Sequence, residues 1–335
     1  MHRLIGLNPS PYSVKMRAVL RYRRLPFVWD THSDPRALAR QHGLPPVIPV
    51  LVMPDGTVMN DSTQLIRVLE QRHPGVRSIM PPDTAQAFLA GLIEDMADEW
   101  LTKCMFHYRW YYAPDRAFAR HWVIGDRSGG FGTDPATQDL AAATQAFEDR
   151  QVGRMPLVGC TEETKPVIEA SYLRILSALD AGVRSQPFLF GSRPSLADFG
   201  LFGQLQILAT DPTPATLMRA HAPHVFTWLM RLDDASGVEG DWLAAGGRPH
   251  PMVVELLRFT GEVYLPFLKA NADGIEAGSE TLSVSISGST FRQPPFRYQA
   301  KCWRTLRADL AALDPAARGR IEPLLAETGC LAYLA

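Results

Sequence analysis

Along the first eighty residues the apolar positions switch repeatedly between a strand period and a helix period. Arg3-Leu4-Ile5-Gly6-Leu7 is a short apolar run of strand character, stopped by Asn8-Pro9. Ser10-Pro11 then offers an N-cap and a proline at the first helical position, where its missing N–H costs nothing. Val14, Ala18, Val19 and Leu20 follow at helical spacing, with Lys15, Arg17 and Arg21 opposite. Phe27-Val28-Trp29 predicts a second strand, Arg36–Gln41 a short helix and Pro49–Met53 a third strand. Asp55-Gly56 is a hairpin turn from which Thr57-Val58-Met59 returns. Asp61-Ser62 opens a helix with Leu65, Ile66 and Leu69 as its stripe. The predicted order is β-α-β-α-β-β-α.

The proline-rich stretch from His73-Pro74-Gly75 to Pro81-Pro82 predicts a domain boundary, and beyond it the pattern is almost wholly helical. Long patterns run from Thr84 to about Tyr112, from Pro135 to Arg154 and from Glu162 to Ala181. Phe188–Asp198 reads as a loop entering a helix, with Ser195 and Asp198 at the spacing of a reciprocal N-cap. Phe199-Gly200-Leu201-Phe202-Gly203 is apolar all round, as in a helix at the centre of a bundle. His224 to Asp234 predicts another helix. From about Gly261 the character changes. Leu282, Val284 and Ile286 alternate with serines up to Gly288, a hairpin signal, and Tyr298–Leu313 returns to helix before Asp314-Pro315.

Composition narrows the class of molecule. With 335 residues, about two domains and a sizeable core are expected. The 34 basic and 35 acidic side chains leave a formal charge of −1, which argues against a nucleic-acid binder. No apolar run suits a membrane span or a signal peptide. Cys104, Cys160, Cys302 and Cys330 form no CxxC pair and no zinc-site spacing, so no metal is expected and an intracellular, reduced protein is the simplest reading.

Ser10-Pro11-Tyr12-Ser13 after the first strand, Ile48-Pro49 before the third and Asp61-Ser62 at the last helix of the unit, followed by the Ser195–Asp198 loop, resemble the cytosolic glutathione transferases. The resemblance covers roughly residues 3–235. It implies an α/β thioredoxin-like N-terminal domain over 1–76, an all-α helical domain with an electrophile pocket over 84–261, and a C-terminal extension over 262–335 (hairpin plus helix) packing on the helical domain. It further implies a cytoplasmic, homodimeric detoxification enzyme with glutathione as co-substrate and a small hydrophobic electrophile as second partner. Neither nucleic acid nor a membrane is an expected partner.

By the same resemblance Ser10 is the serine-type hydroxyl that contacts the glutathione sulfur, with Tyr12 and Ser13 as reserve donors. Plain helix capping by Ser10 is compatible with that role. A thiol with pKa near 8.5 is about 3% ionised at pH 7, and lowering it by about 1.5 units takes roughly 2 kcal/mol. One charge-assisted hydrogen bond supplies about 1.5–3 kcal/mol and a helix N-terminus up to about 1. No general base is needed. The lack of any cysteine before Cys104 removes disulfide exchange, which requires a thiolate at this helix start.

Val47, Ile48 and Pro49 take the place of the family's cis-proline step against the peptide backbone of glutathione, and Asp61 and Ser62 that of the pair holding its γ-glutamyl end. Val47 stands where many members carry a cation or glutamine for the glycine carboxylate, so either Arg40 or His42 substitutes or glutathione binds weakly. Trp100, Lys103, His107, Trp110 and Tyr111 recur along one helix and correspond to the electrophile pocket, with a core stripe as the competing reading. An acid of the same helix, Asp95 or Asp98, corresponds to one that crosses the dimer. The alternatives kept open are a non-catalytic scaffold of the same fold, or a glutathione-dependent isomerase, dehalogenase or etherase.

Overall fold

Strand β1 (His2–Ile5) sits inside a four-stranded sheet of order β2-β1-β3-β4 in the computed structural model, which describes residues 1–75, 77–127 and 138–335. Leu4 and Ile5 are fully buried there. Ser10 caps α1 (Pro11–Tyr22), its Oγ accepting from the Ser13 amide at 3.4 Å, and Arg24 at φ 52° closes the helix. The chain returns as β2 (Phe27–Asp30), parallel to β1, and then forms α2 (Pro35–Gln41). Strands β3 (Val50–Val52) and β4 (Val58–Asn60) are antiparallel about the Asp55-Gly56 turn, and α3 (Ser62–Arg72) completes the expected thioredoxin-like order. The boundary expected at residue 76 falls outside the described residues.

Helix α4 (Thr84–Met96), a π-helical turn (Ala97–Leu101) and α5 (Thr102–Tyr111) form one continuous rod, as the periodicity predicted. Then come α6 (Ala113–Arg127), α7 (Gln138–Val152) and α8 (Lys165–Gly182). The first residues of the pattern expected from Pro135 lie outside the described part. Helix α9 (Leu196–Leu208) is the central one. The Ser195–Asp198 capping box is present, and Asp198 also accepts from the Leu189 amide at 3.0 Å. Its two glycines explain its packing. A Cβ at Gly203 would lie 2.9 Å from the Pro11 carbonyl of α1, and one at Gly200 would lie 3.0 Å from the Cα of Glu94 on α4. Only bare backbone lets both helices approach this closely.

Beyond α10 (Pro212–His221) and α11 (Pro223–Asp233), α12 (Pro251–Phe259) runs through a second π turn (Thr260–Tyr264) into α13 (Leu265–Glu276). The position 261/262 therefore lies inside a continuous helical run. Gly261, which reads as a change of character in sequence, is a close-approach glycine: a Cβ there would strike the Thr328 carbonyl. The expected hairpin is β5 (Leu282–Ile286) and β6 (Ser289–Gln293), joined through Ser287 and Gly288, both at positive φ. Helices α14 (Arg297–Ala311), α15 (Pro315–Glu327) and α16 (Leu331–Leu334) close the chain, with α14 and α15 packed on α4.

Candidate functional site

The first strand ends in a loop that the rest of the molecule holds tightly. Arg109 donates to the Pro9 carbonyl at 2.8 Å while pairing bidentately with Asp211, and Asp126 accepts from both the Asn8 amide and its Nδ2. Ser10 follows this loop and is 7% exposed. Its two neighbours are committed elsewhere. Tyr12 donates its hydroxyl to the Asp98 carbonyl at 2.9 Å, and Ser13 Oγ accepts from the Leu7 amide at 3.4 Å with no exposure of its own. Burial pushes the Tyr12 phenol well up.

The Ile48–Pro49 peptide is cis. Its loop is tied down by Asn60, which pairs with Val50 across the sheet and donates Nδ2 to the Pro45 carbonyl at 2.6 Å. Val47 is half exposed beside it. Asp61 immediately follows β4 with φ 72°, a left-handed conformation that a non-glycine residue rarely adopts. Its side chain makes no capping bond to α3; instead it accepts from the Tyr298 hydroxyl of α14 at 3.2 Å. Ser62 is buried at the first turn of α3.

The aromatic stripe has a different destination from the one expected of an open pocket wall. Trp100 and His107 have no exposure and Trp110 has 2%. Trp100 packs its ring against Phe267 and Phe291 of the C-terminal region, at 5.3 and 5.2 Å between centroids. His107 bonds Glu169 through Nε2 at 2.9 Å and stacks on Tyr111, whose hydroxyl reaches Glu162. Burial lowers the His107 pKa, which suits a structural ring. Lys103 faces Phe267 and donates to Gln293; burial lowers its pKa to about 8. Of the five stripe residues Lys103 borders a small cavity of about 160 Å³, shared with Phe106, Tyr298 and Gln299.

Two larger cavities flank these elements. One, of about 340 Å³, lies between α3, α4 and α14 and is lined by Thr63, Glu94, Asp95, Tyr298 and Cys302 among others. The other, of about 330 Å³, brings Leu7 and Ile48 together with Arg36, Arg40 and Arg127. His42 does not line it, and Ser10, Tyr12 and Ser13 line neither.

A family model described as "Glutathione S-transferase, N-terminal domain" matches residues 4–77, and one described as "Glutathione S-transferase, C-terminal domain" matches residues 138–231. The chain belongs to the glutathione transferase superfamily. Among solved structures it is similar to the beta-etherase LigF of Sphingobium sp. strain SYK-6, with 21% identity, 69% of this chain and 94% of that chain covered and a TM-score of 0.43. It is similar also to a glutathione S-transferase of Methylobacterium radiotolerans JCM 2831 in complex with glutathione sulfonate, with 21% identity, 73% and 97% covered and a TM-score of 0.42. A glutathione S-transferase of Rhodospirillum rubrum F11 is 17% identical, with 90% and 98% covered and a TM-score of 0.42. No curated protein matches the sequence.

In this transferase-family chain the acids of the α4 rod are spent internally. Lys15 of α1, fully buried, donates to Glu94 at 2.5 Å and Asp98 at 2.7 Å, and Thr63 also donates to Glu94. One ammonium serves two carboxylates. Burial and the Glu94 charge push Asp98 up to about 8, while the two acids push Lys15 upward. Asp95 accepts from Tyr264 at 2.6 Å and Glu99 from Gln299 at 3.1 Å, and burial raises both to about 7. Asp95 and Asp98 thus make their bonds within their own chain. Among the described residues no group of three or more His, Cys, Asp or Glu could hold a metal ion, and no helix is long and apolar enough to cross a membrane. Sequence reasoning missed Tyr298, Asp126 and Arg127, which reach the site from distant elements and carry no local motif.

Proposed function

We propose that the protein is a glutathione-dependent enzyme of transferase type. The observation that carries this reading is that Ile48-Pro49, just before β3, and the left-handed Asp61, just after β4 at the start of α3, lie at the same end of two adjacent antiparallel strands. The backbone of a γ-glutamyl tripeptide pairs with Ile48. Its α-carboxylate meets the Ser62 hydroxyl and the free amides of α3, and its ammonium meets Asp61. Arg40 is favoured over His42 for the glycine carboxylate because Arg40 shares a cavity with Ile48. Ser10 donates its hydroxyl to the sulfur. The thiol proton passes to solvent, the sulfur lone pair forms a bond to the electrophilic carbon, and the leaving group departs with the bonding pair. Ser10→Ala is expected to lower turnover by about 10- to 100-fold, the loss of one charge-assisted hydrogen bond. Unchanged turnover removes Ser10 from the mechanism.

A second reading, a non-catalytic binding module, is favoured by one observation: Ser10 is 7% exposed and borders neither large cavity. Calorimetry separates the two. Saturable glutathione binding with measurable conjugation supports the enzyme; no turnover with any electrophile class leaves the module.

A further inference from the structure

The cavity beside Leu7 and Ile48 carries more positive charge than one tripeptide carboxylate requires. Arg36 and Arg40 reach it from α2 and Arg127 from the end of α6. Arg150, near the end of α7, and Arg154, just beyond it, press their charges on Arg36, and Arg36 and Arg150 press theirs on Arg127. Most arginines elsewhere in the described chain are paired with a carboxylate; none of these five makes an ion pair among the described residues. Arg127 lies over the Phe147 ring at 4.7 Å, and the nearby Asp34 spends one oxygen on the Arg36 and Ala37 amides. Three arginines from two helices, Arg36, Arg40 and Arg127, therefore line a space large enough for a small ligand, against one carboxylate, Asp34, on the same lining, and Arg150 and Arg154 add charge beside it. Gathering like charges this way costs free energy in the free protein, and an anion of matching charge returns it. Guanidinium forks suit the oxygens of carboxylate and phosphate groups.

We propose that this cavity binds an anionic group of the second substrate, so that the electrophile is a carboxylate- or phosphate-bearing acid. The inference rests on the glutathione reading above, with Arg40 assigned to the tripeptide and Arg36 and Arg127 to the second anion. Inorganic pyrophosphate is the probe, titrated calorimetrically at low salt into the full-length protein saturated with glutathione. Saturable binding that weakens at least tenfold in R36A/R127A, with glutathione affinity changed less than twofold, is the expected result. The double variant R184A/R231A, which removes two exposed arginines on other elements, controls for net charge and is expected to bind pyrophosphate as the parent does. Absence of pyrophosphate binding, equal loss in both double variants, or displacement of glutathione by pyrophosphate overturns the proposal. A titration of glutathione alone reads the underlying assignment separately. If glutathione fails to bind while pyrophosphate binds through these arginines, the glutathione reading falls, and the second-substrate role with it.

Discussion

At the residue scale, the buried charges on the α4 rod determine how the protein responds to pH. Asp95 and Glu99 are both raised to about 7 by burial, so the folded state holds protons that the unfolded chain releases near pH 4. Their contribution to stability is full below the unfolded value and is lost as pH rises through about 7. Denaturant unfolding followed from pH 5 to 8 is expected to show stability falling across that range with a slope of order 1.4 kcal/mol per pH unit per proton. Asp95→Asn should flatten that slope; an unchanged slope rules Asp95 out as its source. Lys15→Met leaves Glu94 and Asp98 buried without their ammonium and should cost about 3–5 kcal/mol. None of this was legible in sequence. Of these acids Asp95 and Asp98 carried an expectation, that of crossing a dimer; i, i+4 spacing does not say which neighbour covers them. The cap at Ser10 and the box at Ser195–Asp198 were legible, since each needs only three residues of local chain.

At the scale of elements, the N-terminal order emerged from the periodicity because each strand and helix carries its own punctuation, such as Ser10-Pro11 and Asp55-Gly56. Helices α6, α10, α12, α13, α15 and α16 went unread in the sequence. Gly261 was the misleading letter. Its freedom serves close contact with residues 328–330, so Gly261→Val should push that segment off the helix and lower stability by several kcal/mol, read as a fall in melting temperature. A melting temperature unchanged by this substitution would contradict the close approach. Helix α14 reaches the candidate site through Tyr298. Tyr298→Phe removes one donor to Asp61 and is expected to weaken glutathione binding by about 0.5–1.5 kcal/mol, measured by calorimetry.

At the scale of the whole molecule, the C-terminal region is structural core as much as appendage. Phe267 and Phe291 close over Trp100, Gln293 receives Lys103, and Asn271 makes two bonds to the Phe296 backbone. That is why Trp100 and Lys103, spaced like part of a pocket wall, are buried: their partners Phe267, Phe291 and Gln293 lie more than 150 residues away, beyond the reach of any local pattern. Truncation after Glu276 should expose Trp100, seen as a red-shifted tryptophan emission, and abolish cooperative unfolding. Native-like emission in the truncated chain would show that the hairpin and α14–α16 are dispensable.

The central claim is that a serine hydroxyl at the start of α1 lowers the proton affinity of a bound thiol. Ultraviolet titration of the glutathione complex against pH measures it directly, through the absorbance of the thiolate. The account predicts an apparent pKa about 1.5 units below that of the free thiol, lost in Ser10→Ala with glutathione still bound. A bound thiol that titrates like the free one, or one whose lowered pKa survives Ser10→Ala, would contradict it.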